Sequence, residues 1–244
     1  MPLQTIESHR LYRQIAEQLR TMMKAGEFAV GERLPAERAL AQQLGVSRPS
    51  VREALIALEV EGWVEIRTGS GVYVLARKAR RAATKPSNVA SPGWGPLELI
   101  RARRVVEGEV AALAAKLARR KDFDAMADAL VSMRTDADNG VMPLDGDRAF
   151  HSAIVKAGGN AVLIETVQHF WDARRDPLFA RLGGYFETVQ SWRAAIEEHE
   201  NVYVAIRARD AEGARAAMHH HLDKAHSRFS ASWRRAIKTN PKPS

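Results

Sequence analysis

The stretch from Leu34 to Val74 constrains the fold more than any other part of the chain. Helical spacing of apolar residues precedes Gly45, which sits where a left-handed C-cap would end a helix. Ser47 follows as an N-cap for a second helix, which tolerates Pro49 in its first turn. Helix, glycine-containing turn and helix together predict a helix-turn-helix. The apolar positions are Leu40 and Leu44 in the first helix, and Val51, Ala54, Leu55 and Leu58 in the second.

Two short runs of alternating apolar residues follow this pair of helices. Val64 and Ile66 precede Thr68-Gly69-Ser70-Gly71, and Val72 and Val74 follow it. Alternation on both sides of a glycine-containing turn predicts a β-hairpin. A hairpin directly after a helix-turn-helix is a wing, so residues 1–76 are predicted to form a winged helix-turn-helix DNA-binding domain.

Basic and hydroxyl side chains occupy the positions where such a domain meets double-stranded DNA. Arg48 and Arg52 are four residues apart at the start of the second helix, the end that enters the major groove. A guanidinium can donate two hydrogen bonds to guanine. Arg38 lies in the first turn of the preceding helix, and Ser47 and Ser50 can donate to phosphate oxygens. Each arginine alone would fit an ordinary solvated face, but their ordered pattern favours DNA contact.

Residues 12–74 resemble the winged helix-turn-helix of the GntR family of bacterial regulators. The most specific part is LPAERALAQQLGVSRPSVREAL, which begins at Leu34. The resemblance implies that the DNA-contacting positions are Arg38, Arg48, Ser50, Arg52, Thr68 and Gly69.

Composition narrows the kinds of partner and site that the chain can have. A net charge of +8 and a pI near 10 favour an anionic partner. The absence of cysteine excludes disulfides, thiolate zinc sites and cysteine nucleophiles. No apolar run approaches the ~20 residues of a membrane span, and MPLQTIESHRLYRQ has no signal-peptide core. We expect a cytoplasmic protein without a membrane partner.

The chain is long enough for two domains, each with its own core. Basic residues and then Pro, Ser, Asn and Gly replace apolar periodicity before Gly95, which predicts a basic, flexible linker over 77–95. The remainder is predicted as an all-α domain over 96–236, with a tail over 237–244. The fold class is therefore mainly α. Helical patterns cover 97–119, 123–133, 144–157, 161–172, 186–208 and 211–233.

A second set of polar residues lies in the helical domain. Asp147 and His151 are four residues apart and share a helix face, while His199 and His221 lie on two later helices. Three imidazoles and a carboxylate suit zinc, nickel or manganese. Such histidines are also common as surface residues or as singly bonded core residues, so the pattern alone leaves both explanations open.

Residues 97–222 resemble the all-helical FCD effector domain of the FadR-like branch of the same family. PLELIRARRVVEGEVAALAA, DRAFHSAIVKAGGN and EHENVYVAIRARDAEGARAAMHHHL carry this resemblance. It implies a divalent metal ion, most simply zinc, that serves ligand binding and not turnover. It implies the ligands Asp147, His151, His199 and His221, with His220 as the alternative fourth ligand.

The same resemblance implies that Arg103 binds the carboxylate of a small effector. Arg101 or Arg104 could face inward instead. The opening segment of this domain resembles hexuronate and aldonate regulators, so a sugar acid is the first expectation. Lactate or glycolate is the alternative.

These features predict a metal-dependent transcriptional regulator, a repressor that binds a palindromic operator as a homodimer, because one recognition helix reads one half-site. A zinc hydrolase fused to a DNA-binding head is an alternative from another functional class. A purely structural metal is a third.

Overall fold

The protein consists of an N-terminal head with a small sheet and a C-terminal helical bundle. The computed structural model describes residues 11–76 and 93–231. In the head these elements are α1 (Leu11–Ala25), α2 (Glu37–Leu44), α3 (Arg48–Val60), β1 (Val64–Arg67) and β2 (Gly71–Val74).

The turn between α2 and α3 has the predicted geometry. Gly45 is left-handed, with φ of 64°, and its N–H bonds to carbonyls of the last turn of α2. The Oγ atom of Ser47 accepts a hydrogen bond of 3.2 Å from the backbone N–H of Ser50, which caps α3. The helix-turn-helix prediction is confirmed.

The wing is a two-stranded antiparallel sheet in which Val64 pairs with Val74 and Arg67 pairs with Gly71. Gly71 has φ of 133°, and a Cβ atom there would lie 2.4 Å from the Nε atom of Arg33. The positive φ therefore favours glycine at this position, where the side chain of Arg33 crosses the wing.

Within residues 93–231, seven helices form the bundle. In it α4 lies along α10, and α5 and α6 pack together. Met126, Phe150, Ile206 and Met218 are fully buried in its core. In the part of the chain that is described, no helix is both long and apolar enough to cross a membrane. The helices are α4 (Pro96–Leu117), α5 (Arg120–Asp138), α6 (Leu144–Ala157), α7 (Ala161–Ala173), α8 (Pro177–Phe186), α9 (Val189–Arg207) and α10 (Ala211–Ser230).

Helix α8 is absent from the sequence prediction, which had no helix over 173–185 and one helix over 186–208. The structure forms α8 there and begins α9 at the Thr188 cap. Pro177 fits the first turn of α8, and the Asp176 carboxylate accepts a hydrogen bond of 2.9 Å from the N–H of Leu178. Gly183 and Gly184 lie inside this helix, and their low helix propensity is the reason that the sequence pattern does not predict it.

The head packs directly on the bundle. Ile56 of α3 is buried in one core with Leu182 and Phe186 of α8 and Ile100 of α4. The core of the head thus extends onto helices of the bundle. Residues 77–92 of the predicted linker and the tail over 237–244 lie outside the described ranges, so the domain boundaries there stay predictions.

Two polar contacts accompany this apolar junction. Glu59 of α3 accepts hydrogen bonds of 2.7 and 2.9 Å from Arg181, and one of 2.8 Å from the Tyr185 hydroxyl. Glu53, also on α3, accepts a hydrogen bond of 2.8 Å from the backbone N–H of Leu97 at the start of α4. Side chains of α3 therefore contact two helices of the bundle.

Candidate functional site

An open groove has the wing on one side and the starts of α2 and α3 on the other. Arg38, Arg48, Thr68 and Gly69 line it, and all four are exposed. The structure thus brings four of the predicted DNA-contacting residues to one surface. Sequence reasoning missed two further arginines on the same groove, Arg33 and Arg67.

The two predicted serines lie at the N-terminus of α3, where Ser47 is exposed and Ser50 is half-buried. Their Oγ atoms are 2.8 Å apart, and Ser47 already accepts the capping hydrogen bond from Ser50. The positive end of the helix dipole at this point favours a phosphate group.

The structure does not bring Arg52 to this surface. Its side chain is 2% exposed, and its guanidinium donates hydrogen bonds of 2.9 and 2.8 Å to Glu37. The Cζ atom lies 5.4 Å from the centre of the Phe186 ring of α8. Glu37, which sequence reasoning missed, also accepts a hydrogen bond of 2.8 Å from Arg48. Glu37 therefore links the two predicted reading arginines.

The four predicted metal ligands meet inside the bundle. Asp147 and His151 lie on α6, His199 on α9 and His221 on α10, and all are buried. One donor atom of each lies within 4.8 Å of the others. The Nε2 atoms of His151 and His199 are 3.2 Å apart, and His199 Nε2 is 3.1 Å from an Asp147 oxygen. His220 is exposed on α10 and lies outside this cluster.

The protonation states of His221 and Asp147 suit a divalent cation, whereas burial opposes protonation of His151 but the Glu107 carboxylate beside it raises its pKa. Burial, together with the neighbouring His199 and His151, holds the pKa of His221 well below its usual value. Burial opposes ionisation of Asp147, but the Arg174 guanidinium and hydrogen bonds from the imidazoles hold its pKa well below the usual range. A neutral imidazole and an ionised carboxylate are the forms that bind metal ions. The residues present therefore fit such an ion.

A buried glutamate and a half-buried one contact the outer nitrogens of two of these histidines. Glu107 is hydrogen-bonded to Nδ1 of His151, and Glu198 lies 2.9 Å from Nδ1 of His221. A carboxylate in this place orients an imidazole toward a metal and makes it a stronger ligand. The sequence reading missed both, although Glu198 directly precedes His199.

Three arginines border a small cavity next to the cluster. Arg103, Arg174 and Arg228 line it together with Asp147 and His221, and its volume is about 30 Å³. That is room for about one water molecule. Arg103 is buried, whereas Arg101 is exposed and Arg104 donates a hydrogen bond of 2.7 Å to Asp223, so Arg103 is the inward residue.

Helix α8 and the residue after it form one wall of this cavity. Phe179 of α8 and Glu187, its C-cap, border both the cavity and a wider outer groove of about 550 Å³. Burial raises the pKa of Glu187 above its ordinary value, and the nearby guanidiniums of Arg174 and Arg228 oppose that rise. The wall that closes the cavity thus belongs to the helix that also contacts the head.

Comparison with known proteins places the chain in a family. Residues 11–74 match the family described as bacterial regulatory proteins, gntR family, and residues 98–224 match the FCD domain. The chain belongs to the gntR family. The Exu regulon transcriptional regulator of Escherichia coli (strain K12) is 32% identical over 224 residues, which cover 91% of this chain and 85% of that one.

Other gntR-family relatives cover similar lengths. The Uxu operon regulator of Haemophilus influenzae is 32% identical over 88% of this chain and 80% of its own. An Escherichia coli regulatory protein named for the L-lactate dehydrogenase operon is 31% identical, over 89% and 86%. The solved structure of E. coli McbR/YncC is 22% identical with a TM-score of 0.49, over 91% of this chain and 97% of that one.

This gntR-family chain is a transcriptional regulator. Its relatives are named as regulators, and its two matched segments are a DNA-binding domain and an FCD domain. The hypothesis of a zinc hydrolase fused to a DNA-binding head is wrong, because the relatives and the fold are those of regulators and not of enzymes.

Proposed function

We propose that this regulator is a cytoplasmic repressor whose affinity for its operator is controlled by a small carboxylate bound beside a metal ion. The observation that carries the proposal is the meeting of Asp147 and three histidines next to a cavity lined by Arg103. Sugar acids of the hexuronate or aldonate type are the proposed effectors. Lactate or glycolate is the alternative.

The metal ligands of this proposal are Asp147, His151, His199 and His221. When bound, zinc, or nickel or manganese in its place, would supply positive charge and coordination positions for the effector. Arg103 lies beside this position, and its Nε donates a hydrogen bond of 2.6 Å to Glu107, which fixes the guanidinium. The guanidinium would then donate to the effector carboxylate.

The operator side of the proposal rests on the exposed groove at the head. Arg48 and Arg38 would bind base edges or phosphates in the major groove, and Thr68 and Gly69 would bring the wing to the backbone. A homodimer would place two such heads on a palindrome. Arg52 would join them once the head leaves α8, because Phe186 of α8 covers its guanidinium in the docked arrangement.

The effector signal would pass through α8. Phe179 faces the cavity, and Arg181 and Tyr185 of the same helix hold Glu59 of the head. A cavity of about 30 Å³ cannot admit a sugar acid unless a wall moves. Movement of α8 would change how the heads are held, and coupling of ~1–3 kcal/mol is the usual size of such an effect.

The operator arm is tested with Arg48→Ala, which should abolish specific binding in a footprinting assay while the circular dichroism spectrum stays unchanged. Arg193→Ala, an exposed arginine on α9, is the control. An unchanged footprint for Arg48→Ala would refute the assignment of α3 as the reading helix.

The effector arm is tested by thermal shift with uronates, aldonates and small hydroxy acids. At least one of these acids should raise the melting temperature of the metal-loaded protein and lower its operator affinity. A chelator should remove both effects. Persistence of the acid's effect in the chelated protein would contradict the metal-dependent proposal.

A further inference from the structure

Glu187 differs from the other acidic groups around the cavity. Asp147 is bound by Arg174 at 2.8 Å, and Glu198 is bound by Arg228 at 2.9 Å. The carboxyl of Glu187 lies near the same two guanidiniums, which already bind the other carboxylates, and the side chain of Trp192 is a further donor to it. Glu187 is therefore an additional acidic group at the cavity wall.

Its position in the fold makes the charged form costly. Glu187 is the C-cap of α8, where the carbonyl end of the helix disfavours a negative charge. Its carboxylate folds back over the helix, where Oε2 lies 3.0 Å from the place a Cβ of Gly183 would take. An ionised carboxylate can only accept hydrogen bonds. Donors from a bound molecule would therefore offset the cost of its charge.

The charges around the cavity indicate how many negative charges a ligand can bring. Arg103, Arg174 and Arg228 are matched by Glu107, Asp147 and Glu198. Glu187 adds one negative charge to these pairs, and a divalent cation at the histidines would add two positive charges. A ligand with one carboxylate brings the sum of these charges to zero, whereas a second carboxylate would be repelled by Glu187.

We infer that Glu187 determines specificity: it accepts hydrogen bonds from the hydroxyls of a polyhydroxylated monocarboxylic acid and repels a second carboxylate. This inference rests on the proposed function of the cavity. Lactate has one hydroxyl, next to its carboxylate, so it has no remote hydroxyl to offer Glu187. A hexuronate has several, and an aldarate has a carboxylate at each end.

The test measures dissociation constants of galacturonate, galactarate and lactate by calorimetry on the zinc-loaded protein. Glu187→Ala should weaken galacturonate binding about tenfold, the usual loss for a hydrogen bond to a charged group. Glu187→Gln should strengthen galactarate binding severalfold, because the repelling charge is gone. Affinity for lactate should stay within twofold in both variants.

Glu197→Gln, an exposed glutamate on α9, is the control, and zinc content is measured for every variant. Galacturonate affinity that stays unchanged in Glu187→Ala, or falls together with lactate affinity, would overturn the inference and leave the cavity as the effector site. Wild-type protein that binds none of the three acids would instead count against the proposed effector class, and the inference would fail with it.

Discussion

His220 and His221 are sequence neighbours with opposite surroundings. His221 is buried among the candidate ligands, while His220 is exposed on α10. We expect His221→Ala to lower the zinc affinity at least tenfold, since loss of even a supporting partner usually costs about 10–100-fold. His220→Ala should leave it unchanged. Metal analysis after dialysis against a buffered zinc series measures both.

Equal zinc retention by the two variants would show that the fourth ligand lies elsewhere.

The sequence supplied all four candidate ligands because their residue types occur at the positions that the FCD resemblance requires. It left His220 open, since adjacent positions differ in helix face and only packing shows which face turns inward. The sequence did not indicate a role for Arg174 and Arg228 at the cavity, because the partners that the fold brings close to them are far away along the chain.

At the scale of elements, Gly146 sets how closely α6 approaches α5. A Cβ atom there would lie 2.6 Å from Cγ and 3.1 Å from the backbone N of Met133. Gly146→Ala should therefore push the helices apart and lower the free energy of unfolding by ~1–3 kcal/mol. Zinc affinity should fall as well, because Asp147 is the next residue. Urea unfolding with and without zinc measures both effects.

Gly184→Ala is the matched control, since a Cβ at that position would meet no atom within 4 Å. Alanine inside α8 should stabilise the protein by up to ~1 kcal/mol through helix propensity. Destabilisation by Gly184→Ala, or none by Gly146→Ala, would contradict this account of the packing.

Among the elements, the regular helices and the wing could be predicted because apolar periodicity and caps mark them in the sequence. Helix α8 could not, because Gly183 and Gly184 weaken its propensity while tertiary contacts of Leu182 and Phe186 stabilise it. The missed helix is one of those that join the head to the bundle. Its function depends on contacts that a local pattern does not contain.

At the scale of the whole molecule, Glu59 joins the head to α8 through Arg181 and Tyr185. If the docked arrangement hides Arg52 from DNA, weakening this contact should raise operator affinity. We expect Glu59→Gln to raise it about two- to fivefold, because such partly exposed pairs contribute up to ~1 kcal/mol. Fluorescence anisotropy with a labelled operator, in the absence of effector, measures the change.

Glu165→Gln, an exposed glutamate on α7, should leave operator affinity unchanged. Lower affinity in Glu59→Gln would mean that docking supports DNA binding, and an equal affinity would mean that the contact has no part in it. The sequence predicted a head and a bundle, but it could not predict this junction, whose two partners are separated by 122 residues.

The bond between the Glu53 carboxyl and the Leu97 N–H makes the junction sensitive to acidity. Burial raises the pKa of Glu53 from 4.5 to about 7, although the Leu97 hydrogen bond opposes the rise. Between these values the folded chain holds a proton that the unfolded chain has released, so the free energy of unfolding falls as pH rises and levels off above about 7. Glu53→Gln should remove ~1–3 kcal/mol of this fall. Glu165→Gln, which is exposed on α7, is the control. As the medium passes from mildly acidic to neutral, the joint between the head and the bundle should therefore loosen.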